Sequence, residues 1–237
     1  MIHKIKAVIL AGGRGTRFHP FSFIIPKPLM PVGESPILLH LINQLRKSEV
    51  SDFLLATGYQ SELIVAYLGD GKKLGVDIKY FKEELQLGTA GPLSLMRNQF
   101  AKDEYFFLAN GDIYTEMVFS DMLEFAVRGS FDMVVGFIER RERSSFGVME
   151  VESDVILKIV EKPERVSLVS AGIYVINSRA LARIPDAEFF TMPDLIESYL
   201  SEGSRVGAYK ITDFWMGIED VESIDKVIKR TESILGT

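Results

Sequence analysis

The chain has 237 residues, of which 47% are hydrophobic, enough for the core of one large α/β domain. Its formal charge of -6 gives no general attraction to polyanions, so nucleic acid is not an expected partner and any phosphate site must gather cations and backbone amides locally. There is no cysteine, and no apolar run reaches the length of a membrane span. These absences predict a cytoplasmic protein without disulfides, thiolate metal sites or a membrane partner.

Short apolar runs alternate with segments of helical periodicity along the first 140 residues. Runs rich in β-branched and aromatic residues predict buried parallel strands at residues 7–10, 53–57, 105–109 and 133–138. Apolar residues at helical spacing predict helices at residues 37–48, 61–68, 91–98 and 119–128. These repeated βα units predict a doubly wound, Rossmann-like α/β sheet with helices on both faces.

After residue 138 the pattern changes. Two segments with β character predict a hairpin of residues 147–151 and 155–160. Further elements are predicted in the order strand, helix, strand, helix, at residues 172–176, 192–201, 206–211 and 221–234. Because no Pro/Gly/Ser-rich linker separates the two halves, we expect the second half to extend the first sheet into one mixed-sheet domain.

A glycine-rich segment, Leu10 to Arg17, follows the first predicted strand with the sequence LAGGRGTR. Glycines let backbone N–H groups approach phosphate oxygens, and open α/β sheets bind ligands at the carboxyl ends of their strands. Phe18 stands where the dinucleotide fingerprint needs glycine or alanine, and no Gly-Lys-Ser/Thr follows to make a Walker A loop. The segment therefore predicts either a different phosphate site, with Arg17 on the phosphates, or a plain glycine turn with solvated arginines.

The tripeptide Pro26-Lys27-Pro28 lies shortly downstream. Flanking prolines restrict the backbone, so Lys27 is expected on a stiff segment. Its compact charge would suit a phosphorus atom under attack. Alone, such a tripeptide is usually an exposed turn.

Together these two segments resemble the sugar-1-phosphate nucleotidylyltransferases, whose signature is Leu-Ala-Gly-Gly-x-Gly-Thr-Arg-Leu-x-Pro-Leu-Thr followed by Pro-Lys-Pro. The resemblance extends from Lys6 almost to the C-terminus. It implies a catalytic domain over residues 1–237 with no C-terminal β-helix domain, using a nucleoside triphosphate, a sugar 1-phosphate and Mg²⁺. It assigns catalysis to Arg17, Lys27 and Asp112. It also implies that the nucleotide contacts Leu10, Ala11, Gly12, Gly13, Gly15 and Thr16.

Asn110-Gly111-Asp112 follows the strand predicted at residues 105–109. A carboxylate at this edge could hold Mg²⁺, which accepts few protein oxygens and lets phosphates complete its shell. On its own the tripeptide is more often an Asx turn. The resemblance implies that Asp112 is the metal ligand and that Asn110 contacts the nucleotide.

The segment from Leu87 to Leu93, LGTAGPL, can be an ordinary turn into a helix, with Thr89 as its cap and Pro92 in the first turn. In the family this region meets the base, which implies contacts from Gly88 and Thr89. Its form looks like that of the mannose-1-phosphate or heptose-1-phosphate guanylyltransferases. GTP is therefore the expected donor, with uridylyl, thymidylyl or cytidylyl transfer as alternatives.

Four residues are expected at the sugar phosphate because they match the family's pattern: Gly147, Glu161, Lys162 and Ser170. A Glu-Lys pair before proline is also common on plain surfaces. Ser170 replaces the asparagine of the family's Asn-Ala-Gly, which weakens any inference about which sugar is used.

The family's Trp-x-Asp-Ile-Gly motif, whose aspartate is the second metal ligand, reads Trp-Met-Gly-Ile-Glu here. Gly217 thus has no carboxylate to offer. Either Asp213, Glu219 or Asp220 compensates, or Mg²⁺ relies on Asp112, water and phosphates, or the protein is a non-catalytic nucleotide-sugar-binding regulatory subunit. Relatives often self-associate, so a homo-oligomer is also expected.

Overall fold

The computed structural model describes residues 5–235. The strands are β1 Lys6–Ala11, β2 Pro31–Val32, β3 Ser35–Pro36, β4 Asp52–Thr57, β5 Asp77–Lys82, β6 Tyr105–Asn110, β7 Ile113–Thr115, β8 Met133–Arg143, β9 Val148–Glu152, β10 Val155–Val160, β11 Glu164–Asn177, β12 Gly207–Lys210 and β13 Trp215–Gly217. The α-helices are α1 Ile37–Arg46, α2 Ser61–Leu68, α3 Phe119–Arg128, α4 Met192–Leu200 and α5 Val221–Leu235. Short 3-10 helices occupy Thr16–Phe18, Phe21–Phe23, Lys27–Leu29, Lys72–Leu74, Gly91–Gln99 and Ser178–Arg183.

Seven of these strands form one sheet in the order β12-β8-β11-β6-β1-β4-β5. β11 runs antiparallel to both of its neighbours, and the other adjacent pairs are parallel. The mixed, doubly wound sheet predicted from the βα rhythm is confirmed. Strands from the second half of the chain, β8, β11 and β12, complete the sheet begun by the first half.

Apolar cores cover both faces of the sheet, because side chains alternate along each strand. In β1, Ile9 faces the core that includes residues of α1, α2 and α3, whereas Val8 faces the core that includes residues of α4 and the 91–99 and 178–183 helices. A third cluster joins Phe18, just after the glycine-rich segment, to Ile218 and Val227 near α5. This cluster anchors the segment beside the carboxyl end of β1.

Several elements differ from the expected ones. Residues 91–99 form a 3-10 helix, and its first residue, Gly91, lies so close to the 188–190 segment that a Cβ there would be 2.5 Å from the Glu188 backbone oxygen. β5 was not predicted, because only Ile78 among its residues is buried and the apolar signal is weak. β8 and β11 are much longer than expected, since their charged outer halves pair with each other outside the apolar core.

Within the described residues, the helices are all too short or too polar to cross a lipid bilayer.

Candidate active site

A cavity of about 420 Å³ opens at the carboxyl ends of β1 and β6. Every residue expected to contact the nucleotide lies on its wall, together with Arg17, Lys27 and Asp112. The full lining is Leu10, Ala11, Gly12, Gly13, Gly15, Thr16, Arg17, Phe18, Lys27, Pro28, Glu83, Gln86, Gly88, Thr89, Asn110, Asp112 and Phe189. Segments more than 70 residues apart in sequence thus share one volume suited to a nucleotide.

Glycines in the glycine-rich segment allow close packing against neighbouring residues, in addition to letting a ligand approach the backbone. Gly15 has a φ of +59°, in the left-handed region, and a Cβ there would lie 2.9 Å from the Cβ of Lys27. A Cβ on Gly12 would lie 2.7 Å from Glu83 Oε1, whereas one on Gly13 would meet nothing within 4 Å. Gly15 therefore lets the segment lie against Lys27, and Gly12 leaves room for Glu83 on the opposite wall.

Lys27 and Asp112 form an ion pair inside the cavity. Lys27 Nζ lies 2.5 Å from Asp112 Oδ2, and only 15% of the lysine side chain is exposed. Pro26 is extended, but Lys27, the residue whose flanking prolines favour extended backbone, begins a 3-10 helix instead. The Phe18 ring lies beneath the ammonium, with its centroid 5.7 Å from Nζ. The expected phosphate-binding cation and the expected metal-binding carboxylate are thus in direct contact.

The 87–91 segment is held by the start of α4. Gly88 has a φ of +82°, and a Cβ there would lie 2.6 Å from the Phe190 oxygen. The backbone N–H of Met192 donates to Thr89 Oγ1 at 2.8 Å. The helix that follows Ala90 has no side-chain cap, so of the two readings of this segment the one that makes Thr89 a helix cap is wrong. Thr89 instead accepts the first N–H of α4, over a hundred residues away, while still lining the cavity.

Comparison with known proteins decides the family, because the nucleotidyl transferase pattern matches residues 6–234. The chain belongs to the nucleotidyl transferase family. It is 34% identical over 219 residues to a mannose-1-phosphate guanylyltransferase catalytic subunit beta of Dictyostelium discoideum and 34% identical over 224 residues to the subunit of that name in Danio rerio. Each match covers 90% of this chain and 61% of the relative.

The chain therefore spans about three fifths of the length of the curated relatives it matches. A crystal structure of HddC from Yersinia pseudotuberculosis superposes on the chain with a TM-score of 0.75 at 22% identity. That superposition covers 96% of this chain and 99% of the other, so the two proteins share the nucleotidyl transferase fold.

Gly217, which stands where the resemblance implies a second metal ligand, lies beside Asp112. Gly217 pairs with Ile113 across β13 and β7, and the N–H of Ile218 donates to the Asp112 carbonyl at 2.9 Å. Of the acids expected to compensate, Glu219 accepts from Arg17 at 2.7 Å and Asp220 accepts from the Ser223 N–H at 2.8 Å. That last bond caps α5 and lowers the pKa of Asp220.

The third candidate, Asp213, does not line the cavity. Among residues 5–235, no three acidic or histidine side chains come together as a metal site. Asp112 nevertheless offers a carboxylate oxygen to the cavity. A single protein carboxylate fits a divalent ion held mainly by substrate phosphates and water, and does not fit a preformed protein cage.

The floor of the cavity continues into a β-bulge of β11. The β11–β8 register shifts between Ser170 and Tyr174. Gly172, at a φ of +68°, lies so close to Asn110 that a Cβ would be 2.6 Å from its Nδ2. Ser170 Oγ lies 3.1 Å from the Tyr174 hydroxyl, whose pKa is raised by burial. The bulge thus holds the Asn110 side chain, while Ser170 lies outside the cavity lining.

The other residues expected at the sugar phosphate are not brought to the cavity. Gly147 and Glu161 are neighbours, because a Cβ on the glycine would lie 3.0 Å from the Glu161 carboxylate. Lys162 has a φ of +46°, and its side chain, like that of Glu161, is exposed to solvent. None of these residues lines the cavity.

Glu83 was missed by the sequence analysis. It follows β5 directly, and its carboxylate accepts the Leu87 N–H at 3.1 Å. Burial in the cavity wall raises its pKa. The available signal was an acid at the carboxyl end of a strand, but that strand was itself missed. Gln86, Phe18, Pro28 and Phe189 complete the unpredicted part of the lining.

Proposed function

We propose that this protein is a sugar-1-phosphate nucleotidylyltransferase that joins a nucleoside triphosphate to a sugar 1-phosphate and releases pyrophosphate. GTP is the proposed donor, with a mannose- or heptose-type sugar phosphate as acceptor. The observation that carries the proposal is the single cavity shared by the glycine-rich segment, Lys27 and Asp112. The guanylyltransferase names of the relatives at 34% identity support the choice of substrates.

The proposed reaction is an in-line displacement at the α-phosphorus. A phosphate oxygen of the sugar 1-phosphate forms the new bond to phosphorus, the bond to the β-phosphate oxygen breaks, and pyrophosphate leaves with that electron pair. No covalent intermediate with the protein is needed. The protein's contribution is to position the two substrates and to stabilise charge.

Each cation has an assigned task. Loop amides from Gly12, Gly13 and Gly15, with Arg17, stabilise the departing pyrophosphate, and Lys27 stabilises the α-phosphate. Arg17 forms an ion pair with Glu219 in which the two side chains are 70% and 60% exposed. Such an exposed pair contributes little stability, so Arg17 is free to turn toward phosphates. Lys162 is assigned to the incoming sugar phosphate.

Asp112 would hold Mg²⁺, which when bound would neutralise phosphate charge and help to orient the triphosphate. A metal there would compete with Lys27 for the Asp112 carboxylate, which pairs with the lysine through Oδ2, and the substrate phosphates would give the lysine another anionic partner. Nucleotide and metal binding are therefore expected to depend on each other.

Glu83 supports the preference for GTP. Guanine presents two adjacent donors, N1–H and the 2-amino group, and an ionised carboxylate presents two acceptor oxygens. Uracil and thymine present one donor between two acceptors, so the same carboxylate would face carbonyl oxygens. The opening opposite Gly12 leaves the Glu83 carboxylate on the cavity wall.

The test is a pyrophosphate-release assay with Mg²⁺ across GTP, UTP, CTP and dTTP, each tried with several sugar 1-phosphates. We expect release to be fastest with GTP and mannose 1-phosphate or a heptose 1-phosphate. Release with another nucleotide alone would keep the reaction and overturn the choice of base.

Gly217 favours a second candidate, a non-catalytic nucleotide-sugar-binding regulatory subunit of the same fold. Tight binding of GDP-mannose without pyrophosphate release under any combination would establish that role and overturn catalysis. For either role we propose a cytoplasmic location, since nucleoside triphosphates are found there and the chain has no cysteine. We also propose that residues 1–237 act as one catalytic-type domain.

A further inference from the structure

Phe189 differs from the rest of the apolar cavity lining in its exposure. It is 67% exposed, whereas Phe18, which also lines the cavity, is 2% exposed. A single exposed apolar side chain is ordinary on a protein surface. On the wall of a cavity, however, an exposed aromatic ring offers a flat apolar surface that a flat ligand can cover.

The backbone on one side of Phe189 is fixed to the segment that leads into the 91–99 helix. The N–H of Phe190 donates to the Leu87 carbonyl at 2.9 Å, and the Phe190 carbonyl accepts from the N–H groups of Ala90 and Gly91 at 2.9 and 2.8 Å. The Phe190 side chain packs against the buried core on that face of the sheet. Covering the Phe189 ring would therefore require little further ordering of the backbone.

Leu87 connects Phe189 to Glu83, the residue proposed to contact the edge of the base. The N–H of Leu87 donates to the Glu83 carboxylate at 3.1 Å, and the carbonyl of Leu87 accepts from Phe190. Gly88 lies so close to this second segment that a Cβ there would be 2.6 Å from the Phe190 oxygen. A base whose edge meets Glu83 thus lies next to the segment that carries Phe189.

We propose that the ring of Phe189 is the surface on which the base of the nucleoside triphosphate stacks. Glu83 would contact the edge of the base, and Phe189 would cover its face. Every base has a π face that can stack on an aromatic side chain, and a purine overlaps the ring more than a pyrimidine does. Phe189 would therefore strengthen nucleotide binding and favour purines. The proposal rests on the nucleotide site of the proposed function, and it does not require turnover.

Equilibrium binding tests the stacking separately from catalysis. Calorimetric titration with GTP, without sugar phosphate, should give an affinity about tenfold weaker for Phe189→Ala than for the wild type. Phe189→Tyr keeps the ring and should restore the affinity. Inorganic triphosphate, which has no base, should bind the wild type and Phe189→Ala equally. An unchanged GTP affinity in Phe189→Ala, or an equal loss for GTP and inorganic triphosphate, would overturn the proposal.

Phe146 provides the matched control, because it is 79% exposed and does not line the cavity. Phe146→Ala removes an exposed ring of the same type and should leave GTP affinity unchanged. A loss as large as that of Phe189→Ala would show that the effect does not come from contact with the base, and it would contradict the stacking.

Fluorescence gives a direct signature of the contact. Phe189→Trp places an indole at the proposed surface, and a guanine stacked on an indole quenches its emission. The chain has one native tryptophan, Trp215, whose response to GTP is measured in the wild type and subtracted. Saturating GTP should quench the added emission in Phe189→Trp and leave that of Phe146→Trp unchanged. An unquenched Phe189→Trp would contradict the proposal.

The outcomes for stacking and for catalysis can be told apart. If the wild type releases pyrophosphate but Phe189→Ala binds GTP as tightly as the wild type, the stacking is wrong and the proposed reaction stands. If GTP binding depends on Phe189 but no combination of substrates releases pyrophosphate, the reaction is wrong and the stacking stands. A wild type that does not bind GTP would overturn both.

Discussion

The cavity contrasts with the arm, which we define as residues 139–168: the outer ends of β8 and β11 and the β9–β10 hairpin between them. Around the cavity, Lys27 is paired within the chain and Phe18 is 2% exposed, because the glycine-rich segment rests on a buried cluster. On the arm, Ile159 is 64% exposed and Lys162 projects from a ribbon with no core beneath it. The wall proposed for the nucleotide therefore rests on the core of the chain, whereas the lysine proposed for the sugar phosphate lies on an exposed ribbon.

The largest effect is expected from a comparison of one lysine in each region, Lys27 at the cavity and Lys162 on the arm. Lys27→Ala should lower kcat by about 10² to 10³, because its charge is assigned to the transition state. Lys162→Ala should instead raise the KM for the sugar 1-phosphate, with a smaller change in kcat. Steady-state kinetics with both substrates varied measures each effect.

Nucleotide affinity, measured by calorimetry, provides the control for this pair. Lys27→Ala should weaken GTP binding much less than it slows turnover. If affinity and turnover fell equally, Lys27 would hold the ground state only. If Lys162→Ala behaved as Lys27→Ala does, the arm would have to close fully over the cavity during the reaction.

An effect of intermediate size is expected at Glu83, on the cavity wall opposite the glycine-rich segment. Glu83→Gln should lower the preference for GTP over UTP, measured as the ratio of kcat/KM values, by about tenfold to a hundredfold, since one hydrogen bond to a charged acceptor is lost. Burial raises the pKa of Glu83, so the wild-type preference should grow as pH rises through that pKa and the carboxyl ionises.

The exposed neighbour Glu84 provides the matched variant. Glu84→Gln should keep both the preference and its pH dependence. If Glu83→Gln left the preference for GTP unchanged, Glu83 would have no part in base recognition. The selectivity between bases would then be assigned to the backbone near Gly88.

The smallest effect compares two glycines of the same segment. Gly15→Ala places a Cβ in the left-handed region, 2.9 Å from Lys27, and should lower the free energy of unfolding by about 1–2 kcal/mol. Gly13→Ala has open space around its Cβ and should change it by less than about 0.5 kcal/mol. Urea denaturation measures both.

For GTP affinity, measured by titration, we expect the opposite order of effects from these two glycine variants. Gly13→Ala should weaken nucleotide binding although it leaves stability intact, because its methyl group would enter the space assigned to phosphates. Unchanged binding by this variant would mean that the phosphates lie elsewhere in the cavity.

Much of the fold could be read from the sequence by itself. The apolar runs of β1, β4 and β6 are buried on both faces, so a local pattern was enough to predict the strands and the parallel sheet. Glycine-rich and Asn-Gly-Asp segments after two of these strands predicted residues that the structure places in one cavity. Their individual roles remain predictions.

Tertiary structure decided what local patterns do not encode. β5 is an edge strand with a weak apolar signal, so Glu83 became visible only when the chain was folded. The Thr89 contact to Met192 and the Arg17 pair with Glu219 join residues more than 100 positions apart. Met149, Val151, Ile156 and Ile159 share one face of the arm's hairpin, and this emerges only from the register of β9 with β10. Contacts of this kind depend on which elements meet in space, and single-segment periodicity carries no information about that.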